Sequence, residues 1–251
     1  MSNKNIYVAA SDQHVGKTTS TLGLVAAFRQ ANIGSIGYCK PVGQEISELF
    51  KQQVDKDAYL FSKIMGFELS PELHSPVILG KGATTAFLDN PEAYNYEDRL
   101  MTAAAKLNKI HDLTVYEGTG HPGVGSIVNL SNAVVAKKLN SRVVIVVEGG
   151  IGRTIDRLDL SLSPFREAGV PIVGVIVNKV LPQKREKIEH YLKKKLEQMK
   201  VPLLGTIPFD KTMSYPIMKT IRSAIKGKFI TNEQKCINSI CLLYTSDAAD
   251  E

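Results

Sequence analysis

Ala10-Ser11-Asp12-Gln13-His14-Val15-Gly16-Lys17-Thr18-Thr19 is the stretch whose reading decides the fold. Residues 5–10 lead into it as a short apolar run of strand character. Beyond it, Leu22, Leu24, Val25 and Phe28 fall on one side of a segment that turns Arg29 and Gln30 to the other, which predicts a helix over 17–31. Strand, loop ending in Gly-Lys-Thr, then helix is the arrangement of a Walker A element, although Ser11 stands where the general pattern has Gly. The physical logic survives that change. Backbone N–H groups of the loop and of the first helical turn form a cradle for an anion. Gly16 lets the backbone approach closely, Lys17 neutralises β- and γ-phosphate charge, and Thr18 offers its hydroxyl to Mg²⁺. The cradle spans Asp12, Gln13, His14, Val15, Gly16, Lys17, Thr18 and Thr19.

Outward from the loop, strand and helix patterns alternate. Strands are predicted over 36–39, 113–116, 143–147, 172–177 and 203–207, and helices over 57–65, 96–111, 155–168 and 183–200. Pro71, Pro76, Gly80 and Gly82 mark a region of turns between two of the helices. Continuous β-branched strands separated by amphipathic helices predict an α/β three-layer sandwich with a mainly parallel central sheet. Ligands of such sheets bind outside the carboxyl ends of the strands.

The remaining site candidates sit at those ends. Lys40 closes the second strand before Pro41-Val42-Gly43, placed to reach over a phosphate, or else simply to face water. Glu117 follows the 113–116 strand, and Asp57 opens the next helix after the second strand. Both suit Mg²⁺, which takes one or two carboxylates plus phosphate oxygens. Asp55 competes with Asp57 for that role. Asn178, after the 172–177 strand, reads either as an amide for a purine base or as a turn residue. His14 and His121 are candidates to face the site, but a lone histidine is more often structural.

Composition narrows the class. The 251 residues are 43% hydrophobic and 22% charged, which excludes a disordered or fibrous chain. No apolar run reaches the roughly 18 residues of a membrane span, and no signal-peptide pattern opens the chain, so a cytoplasmic protein is expected. Cys39, Cys236 and Cys241 are too few for a disulfide framework. The net charge of +6 owes much to residues 183–200, where seven Lys/Arg meet three Glu. There Ile188, Leu192, Leu196 and Met199 recur at helical spacing and the lysines fall between them, the wet face of an amphipathic helix rather than a nucleic-acid patch.

Together the loop, Lys40-Pro41-Val42, Lys56-Asp57-Ala58, Tyr116-Glu117-Gly118, Val177-Asn178-Lys179 and Gly205-Thr206-Ile207-Pro208 resemble the dethiobiotin synthetase-like branch of the P-loop NTPases. They are closer still to the N-terminal domain of long phosphate acetyltransferases and its stand-alone relatives. The resemblance runs from Ile6 to Ile221 with the motifs in order. It implies ATP and Mg²⁺ as cofactors, a homodimer, and a small-molecule acceptor. Carried over residue by residue, Lys17 and Lys40 would stabilise the γ-phosphoryl group as the catalytic pair. Thr18, Asp57 and Glu117 would ligate Mg²⁺, and Asn178 with Pro208 would line the adenine pocket.

The departures lie on the acceptor side. A small hydroxyl residue of the synthetases corresponds to Gln13, an acid to His14, and a substrate-holding serine to Gln44. An ATP-hydrolysing or ATP-sensing domain with an altered acceptor site is therefore expected. The alternative is an ATP-dependent ligase of dethiobiotin synthetase or cobyrinate type. A partition-type ATPase is disfavoured because its second loop lysine is Ser11 here.

The expected organisation is a nucleotide-binding domain over 1–225, the start of a further C-terminal region over 226–240, and a terminal stretch over 241–251. That last stretch, Cys-Leu-Leu-Tyr-Thr-Ser-Asp-Ala-Ala-Asp-Glu, matches a translated frame of a sequencing-library adapter, so the natural chain is expected to continue differently after Ile240. Removing residues 241–251 should leave the melting temperature unchanged, since such a tail contributes few buried contacts. A scanning calorimetry comparison showing a clear drop would make the stretch native structure.

Overall fold

The computed structural model describes residues 4–44, 54–214, 222, 224–228 and 230. The chain divides into two compact units, Met1–Pro208 and Phe209–Glu251. Residues 231–251, and with them the terminal stretch and most of the 226–240 region, lie outside the described residues. Among its described residues the second unit carries one turn of 3-10 helix, Lys211–Ser214.

In the first unit, β1 (Lys4–Ala10) leads through the loop into α1 (Lys17–Gln30) and β2 (Ile36–Cys39). Then come β3 (Val42–Gly43), α2 (Lys56–Met65), α3 (Pro71–His74), β4 (Val77–Ile78), α4 (Ala83–Asp89) and α5 (Tyr96–Ile110). The second half runs β5 (Leu113–Glu117), α6 (Asn132–Lys138), β6 (Arg142–Glu148), α7 (Gly152–Glu167), β7 (Ile172–Val180), α8 (Arg185–Gln198) and β8 (Leu203–Pro208). Six strands form one sheet in the order β2-β5-β1-β6-β7-β8, with every pairing parallel. The chain leaves β1 towards β2 on one side and later returns to its other side as β6. That reversal opens a crevice at the carboxyl end of β1, where the loop sits.

Side-chain alternation explains why both sheet faces are buried. Tyr7, Ala9, Val143, Ile145 and Val147 enter one core cluster with Leu100 and Leu107 of α5, Leu158 and Leu162 of α7, and Leu192 and Leu196 of α8. Val8, Ala10, Val144 and Val146 enter the other, with Val25 of α1 and Ala58 and Phe61 of α2. Leu22, Leu24 and Phe28 pack against this second cluster, so the apolar side read from the sequence is the one that faces in. The basic residues of α8 do fall between its buried Ile188, Leu192 and Leu196.

Three readings of the sequence need correcting. Residues 71–89 are not only turns: they hold α3, β4 and α4, and β4 pairs with β3 as a two-residue parallel ladder. Helix α6 was missed because seven residues span barely two turns, although Ser131 caps it by accepting from the Val134 N–H. Strands β5 and β7 are longer than their apolar runs. Glu117 is the last residue of β5, and Asn178 lies within β7, because backbone pairing continues after the hydrophobic residues end.

The ring of Phe61 stacks on Tyr38 with centroids 3.7 Å apart and planes 9° from parallel. Both are fully buried, so Phe61→Ala leaves a cavity between α2 and the sheet. The expected cost is about 3–5 kcal/mol, read as a lowered urea midpoint.

Candidate functional site

The loop turns sharply at Gly16, whose φ of 87° is left-handed and which caps the start of α1. A Cβ here would lie 2.0 Å from Asn178 Nδ2, so glycine is needed for space as well as for conformation. Asn178 is buried, and its amide donates to the Val15 carbonyl at 2.9 Å. Lys179 Nζ donates to the His14 carbonyl at 2.5 Å. Strand β7 thus clamps the loop from one side. Ser11 shows no left-handed backbone, so this position does not need glycine for its conformation.

Beneath the loop lies an ion network. Glu117 is fully buried at the end of β5. Its Oε1 accepts from Thr18 Oγ1 at 2.9 Å, from Lys17 Nζ at 3.2 Å and from Lys40 Nζ at 3.2 Å. Its Oε2 accepts from the Tyr38 hydroxyl at 3.4 Å. Lys40 also donates to Asp57 Oδ2 at 2.5 Å, and Thr18 Oγ1 reaches Asp57 Oδ1 at 3.4 Å. Asp55 also lines the cavity under the loop, but it is bonded differently. Its carboxylate accepts from the Asp57 N–H at 2.9 Å and the Gln44 N–H at 3.1 Å, so it caps α2 and leaves Asp57 to face the loop.

The electrostatics follow from burial and partners. Burial alone would raise the Glu117 pKa, but the Lys40 and Lys17 charges, helped by the Thr18 and Lys17 hydrogen bonds, hold it at about 2. Burial would likewise lower the Lys40 pKa, yet Glu117 and Asp57 outweigh it and raise the value above that of an ordinary lysine. Lys17 differs. Burial, reinforced by the Lys40 charge, outweighs Glu117 and leaves its pKa lowered. Lys40 has two carboxylates within ion-pair distance and Lys17 has one. Lys17 is therefore the cation that gains most from an arriving anion.

Above the network is a cavity of about 400 Å³. Asp12, Gln13, His14, Gly16, Lys17, Thr18, Lys40 and Asp57 all line it, together with Gln44, Thr119 and Gly120. The expected candidates Val15, Thr19, Glu117, Asn178 and Pro208 do not, Glu117 being fully buried behind Lys17, Thr18 and Lys40. Val15 packs into the core, Thr19 is exposed on α1, and Pro208 is exposed at the end of β8. Pro208 pairs in register with Val180, which puts Asn178 and Pro208 near the same edge of two adjacent strands. His121 does not line the cavity; its ring accepts from the Gly123 N–H at 3.2 Å.

Sequence reading missed several supporting residues. Tyr38 was seen only as strand, although its position one residue from Cys39 and two from Lys40 puts it at the same edge. Asn132 accepts from Tyr7 at 2.6 Å and from the Thr119 N–H at 3.0 Å, and donates to the Thr119 and His121 carbonyls at 2.9 and 2.7 Å. It thereby fixes the loop after Glu117. Nothing in the local sequence marks it. Arg157 of α7 pairs with Asp12 across the loop, a contact visible only in three dimensions.

Thr18 Oγ1, Asp57 Oδ1 and Glu117 Oε1 form a compact patch of hard oxygens, the donor type Mg²⁺ prefers, beside two lysines and the N-terminal turn of α1. The arrangement is that of a P-loop nucleotide site. A family model described as an AAA domain matches residues 4–216, and the chain belongs to that family. Within it the chain is dethiobiotin synthetase-like. It is 28% identical over 216 residues to the ATP-dependent dethiobiotin synthetase BioD 2 of Salmonella typhimurium, covering 82% of this chain and 87% of that one. It is 28% identical over 220 residues to the ATP-dependent dethiobiotin synthetase BioD of Nitrosopumilus maritimus, covering 84% and 91%. The fold is similar to that of the MinD cell division protein of Aquifex aeolicus, with a TM-score of 0.51, 12% identity and 84% of each chain covered. It is also similar to a plasmid partition protein of Borrelia burgdorferi, with a TM-score of 0.50, 17% identity and coverage of 84% and 92%. Among the described residues no helix is long and apolar enough to cross a membrane.

Glu117 also sets a pH dependence. Its folded pKa of about 2 lies below the unconstrained 4.5, so its ionised form stabilises the fold above pH 4.5. That contribution drains away as pH falls from 4.5 towards 2. Urea midpoints should drop across this window. In Glu117→Gln the midpoint should be lower already at neutral pH and should fall less steeply in acid, because two buried lysines have lost a partner.

Proposed function

We propose that this chain binds Mg-ATP and activates its γ-phosphoryl group, by hydrolysis or by transfer to a small-molecule acceptor that differs from the dethiobiotin precursor. The observation that carries this reading is the convergence of Lys17, Lys40, Thr18, Asp57 and Glu117 under a phosphate loop. Thr18, Asp57 and Glu117 would hold Mg²⁺, which when bound would neutralise phosphate charge. Lys17 would hold the β- and γ-phosphates, and Lys40 would reach the γ-phosphoryl oxygens from the opposite side. Phosphate oxygens would replace the carboxylate now shared between the lysines. Asn178 and Pro208 would border the base, and Asn178 meanwhile holds the loop through Val15. The acceptor would meet Gln13, His14 and Gln44, which line the cavity where the synthetases carry hydroxyl and acidic side chains.

A second reading, a ring-closing ATP-dependent ligase, is favoured by the synthetase relatives and their coverage of more than four-fifths of the chain. The kinship to phosphate acetyltransferase N-terminal domains, a homodimer, a cytoplasmic location and the boundary at 225 belong to the same proposal. Light scattering tests the dimer directly.

Lys17→Ala should weaken Mg-ATP binding by at least about 2 kcal/mol, the scale of a lost charge-assisted contact. Calorimetry with equal affinity in the variant would remove the nucleotide reading. An assay with ATP, Mg²⁺, bicarbonate and 7,8-diaminopelargonic acid separates the two acceptors. Turnover on the order of 1 s⁻¹ would make the ligase reading correct. ATP hydrolysis unaffected by the diamine would support the altered acceptor.

A further inference from the structure

A second cavity, of about 850 Å³, lies among α3, β4, α4 and α5 and is about twice the size of the one under the phosphate loop. It falls within the 300–1,000 Å³ range typical of small-molecule sites. One wall is aromatic. Tyr94 and Tyr96 line it, and with Phe87 they form a three-ring cluster whose centroids are 5.1–5.9 Å apart. Opposing chemistry comes from Lys81 and Arg99, with Glu72 as the one acidic residue of the lining.

The polar groups here are unspent. Among the described residues, the Lys81 ammonium, the Arg99 guanidinium and the hydroxyls of Tyr94 and Tyr96 make no hydrogen bond or ion pair. Lys138 pairs with Glu97, Arg157 with Asp12 and Arg185 with Glu189, whereas Lys106, Arg142 and Arg153 are likewise unpaired among the described residues, so it is the cavity and its aromatic wall together with the free charge that mark this place. Two cations and two phenols left free around one aromatic-walled space, against a single carboxylate, describe a site for a negative headgroup on an apolar or aromatic body. Arginine and tyrosine are also the side chains that give most at low entropic cost when a ligand arrives.

The cavity shares a wall with the phosphate site. Ser75 lines the second cavity, and its hydroxyl accepts from the backbone N–H of Asp55, which lines the first. One residue earlier, the His74 carbonyl accepts from the Lys40 N–H at 2.8 Å. Leu79, which follows β4, donates its N–H to the Gly43 carbonyl at 2.8 Å. The end of β2, which leads into Lys40, and the cap of α2 are thus built onto the far side of this second space.

We infer that the cavity between α3, α4 and α5 is a second ligand site, for a small organic anion, either a carboxylate or a phosphate monoester, held by Lys81 and Arg99 against the Tyr94–Tyr96 wall. The inference does not rest on nucleotide chemistry. Its test uses the full chain with tyrosine rings and backbone amides labelled for NMR. Benzoate, phenyl phosphate and inorganic phosphate are titrated separately, with Tyr94→Phe and Tyr96→Phe assigning the ring signals. The expected result is a saturable shift of both rings with at least one aryl anion, at an affinity of about 1 mM or tighter. The benzoate and phenyl phosphate arms decide between carboxylate and phosphate. In the Lys81→Gln/Arg99→Gln double variant, affinity should fall at least about tenfold, as for lost charge-assisted contacts. Both residues are exposed, so the variant is expected to fold, and its unperturbed amide spectrum checks that. Inorganic phosphate reports on the other site, through the Gly16 and Lys17 amides. No ring shift with either aryl anion, shifts confined to the Gly16–Lys17 amides, or equal affinity in the double variant would each overturn the inference. None of these results depends on whether Mg-ATP binds.

Discussion

A single buried carboxylate organises the site. Glu117 has no exposed surface, and such a group is tolerated in the ionised state only where donors surround it. Thr18 and Lys17 supply them from the start of α1, and Tyr38 and Lys40 from β2 and the residue after it. Each donor is in turn fixed by something else. Lys17 and Thr18 stand on the first turn of α1, Lys40 is anchored at the end of β2 by its bond to His74, and Tyr38 is held by the stacked ring of Phe61. Loosening any one of these would leave charge uncompensated in the interior, which makes the network an obligate meeting point of the fold.

The sheet order delivers the meeting. β5 lies between β2 and β1, so Glu117 ends its strand with Lys40 on one flank and the phosphate loop on the other. All strands are parallel, so their carboxyl ends share one edge. The alternation of Tyr7 and Ala9 against Val8 and Ala10 sends side chains into two separate cores, and helices cover both. The same burial that stabilises the sheet therefore holds the charged groups at its edge in register. In the absence of an anion, the two lysines and two carboxylates neutralise one another. An incoming phosphate has to compete for Lys17, the lysine with fewer partners.

Much of this was legible in the sequence because it is local. Gly16-Lys17-Thr18 between a strand and a helix, and carboxylates at strand ends, carry their meaning in spacing alone. What stayed hidden depends on contacts between distant segments. Asn178 reads in the sequence as an amide for a base or as a turn residue, and its hydrogen bond across 163 residues to the Val15 carbonyl adds the role of a brace for the loop. Asn132 fixes the segment after Glu117 from a helix too short to give a periodic signal. The 71–89 region read as turns because its prolines and glycines dominate, whereas two short helices and a two-residue ladder use those same residues as punctuation. Asp55 and Asp57 could not be separated by type, and only the backbone direction at the start of α2 makes Asp55 the cap and turns Asp57 to Lys40 and Thr18.

The two sides of the loop cavity are held very differently, and this bears on how specificity is divided. Lys17, Thr18, Lys40, Asp57 and Glu117 each have at least one partner within the network, so a substitution there disturbs several neighbours at once. Gln13, His14 and Gln44 are exposed, and among the described residues none of their side chains makes a hydrogen bond. His14 even occupies a left-handed backbone, with φ of 60°, held through its carbonyl rather than its ring. Change on that side costs the fold little. A cavity built this way holds its charged network under strict packing control and leaves its exposed rim loosely held. Gln13, His14 and Gln44 are therefore the lining positions that packing and bonding constrain least, and the charged network beside them is the part that cannot change one residue at a time.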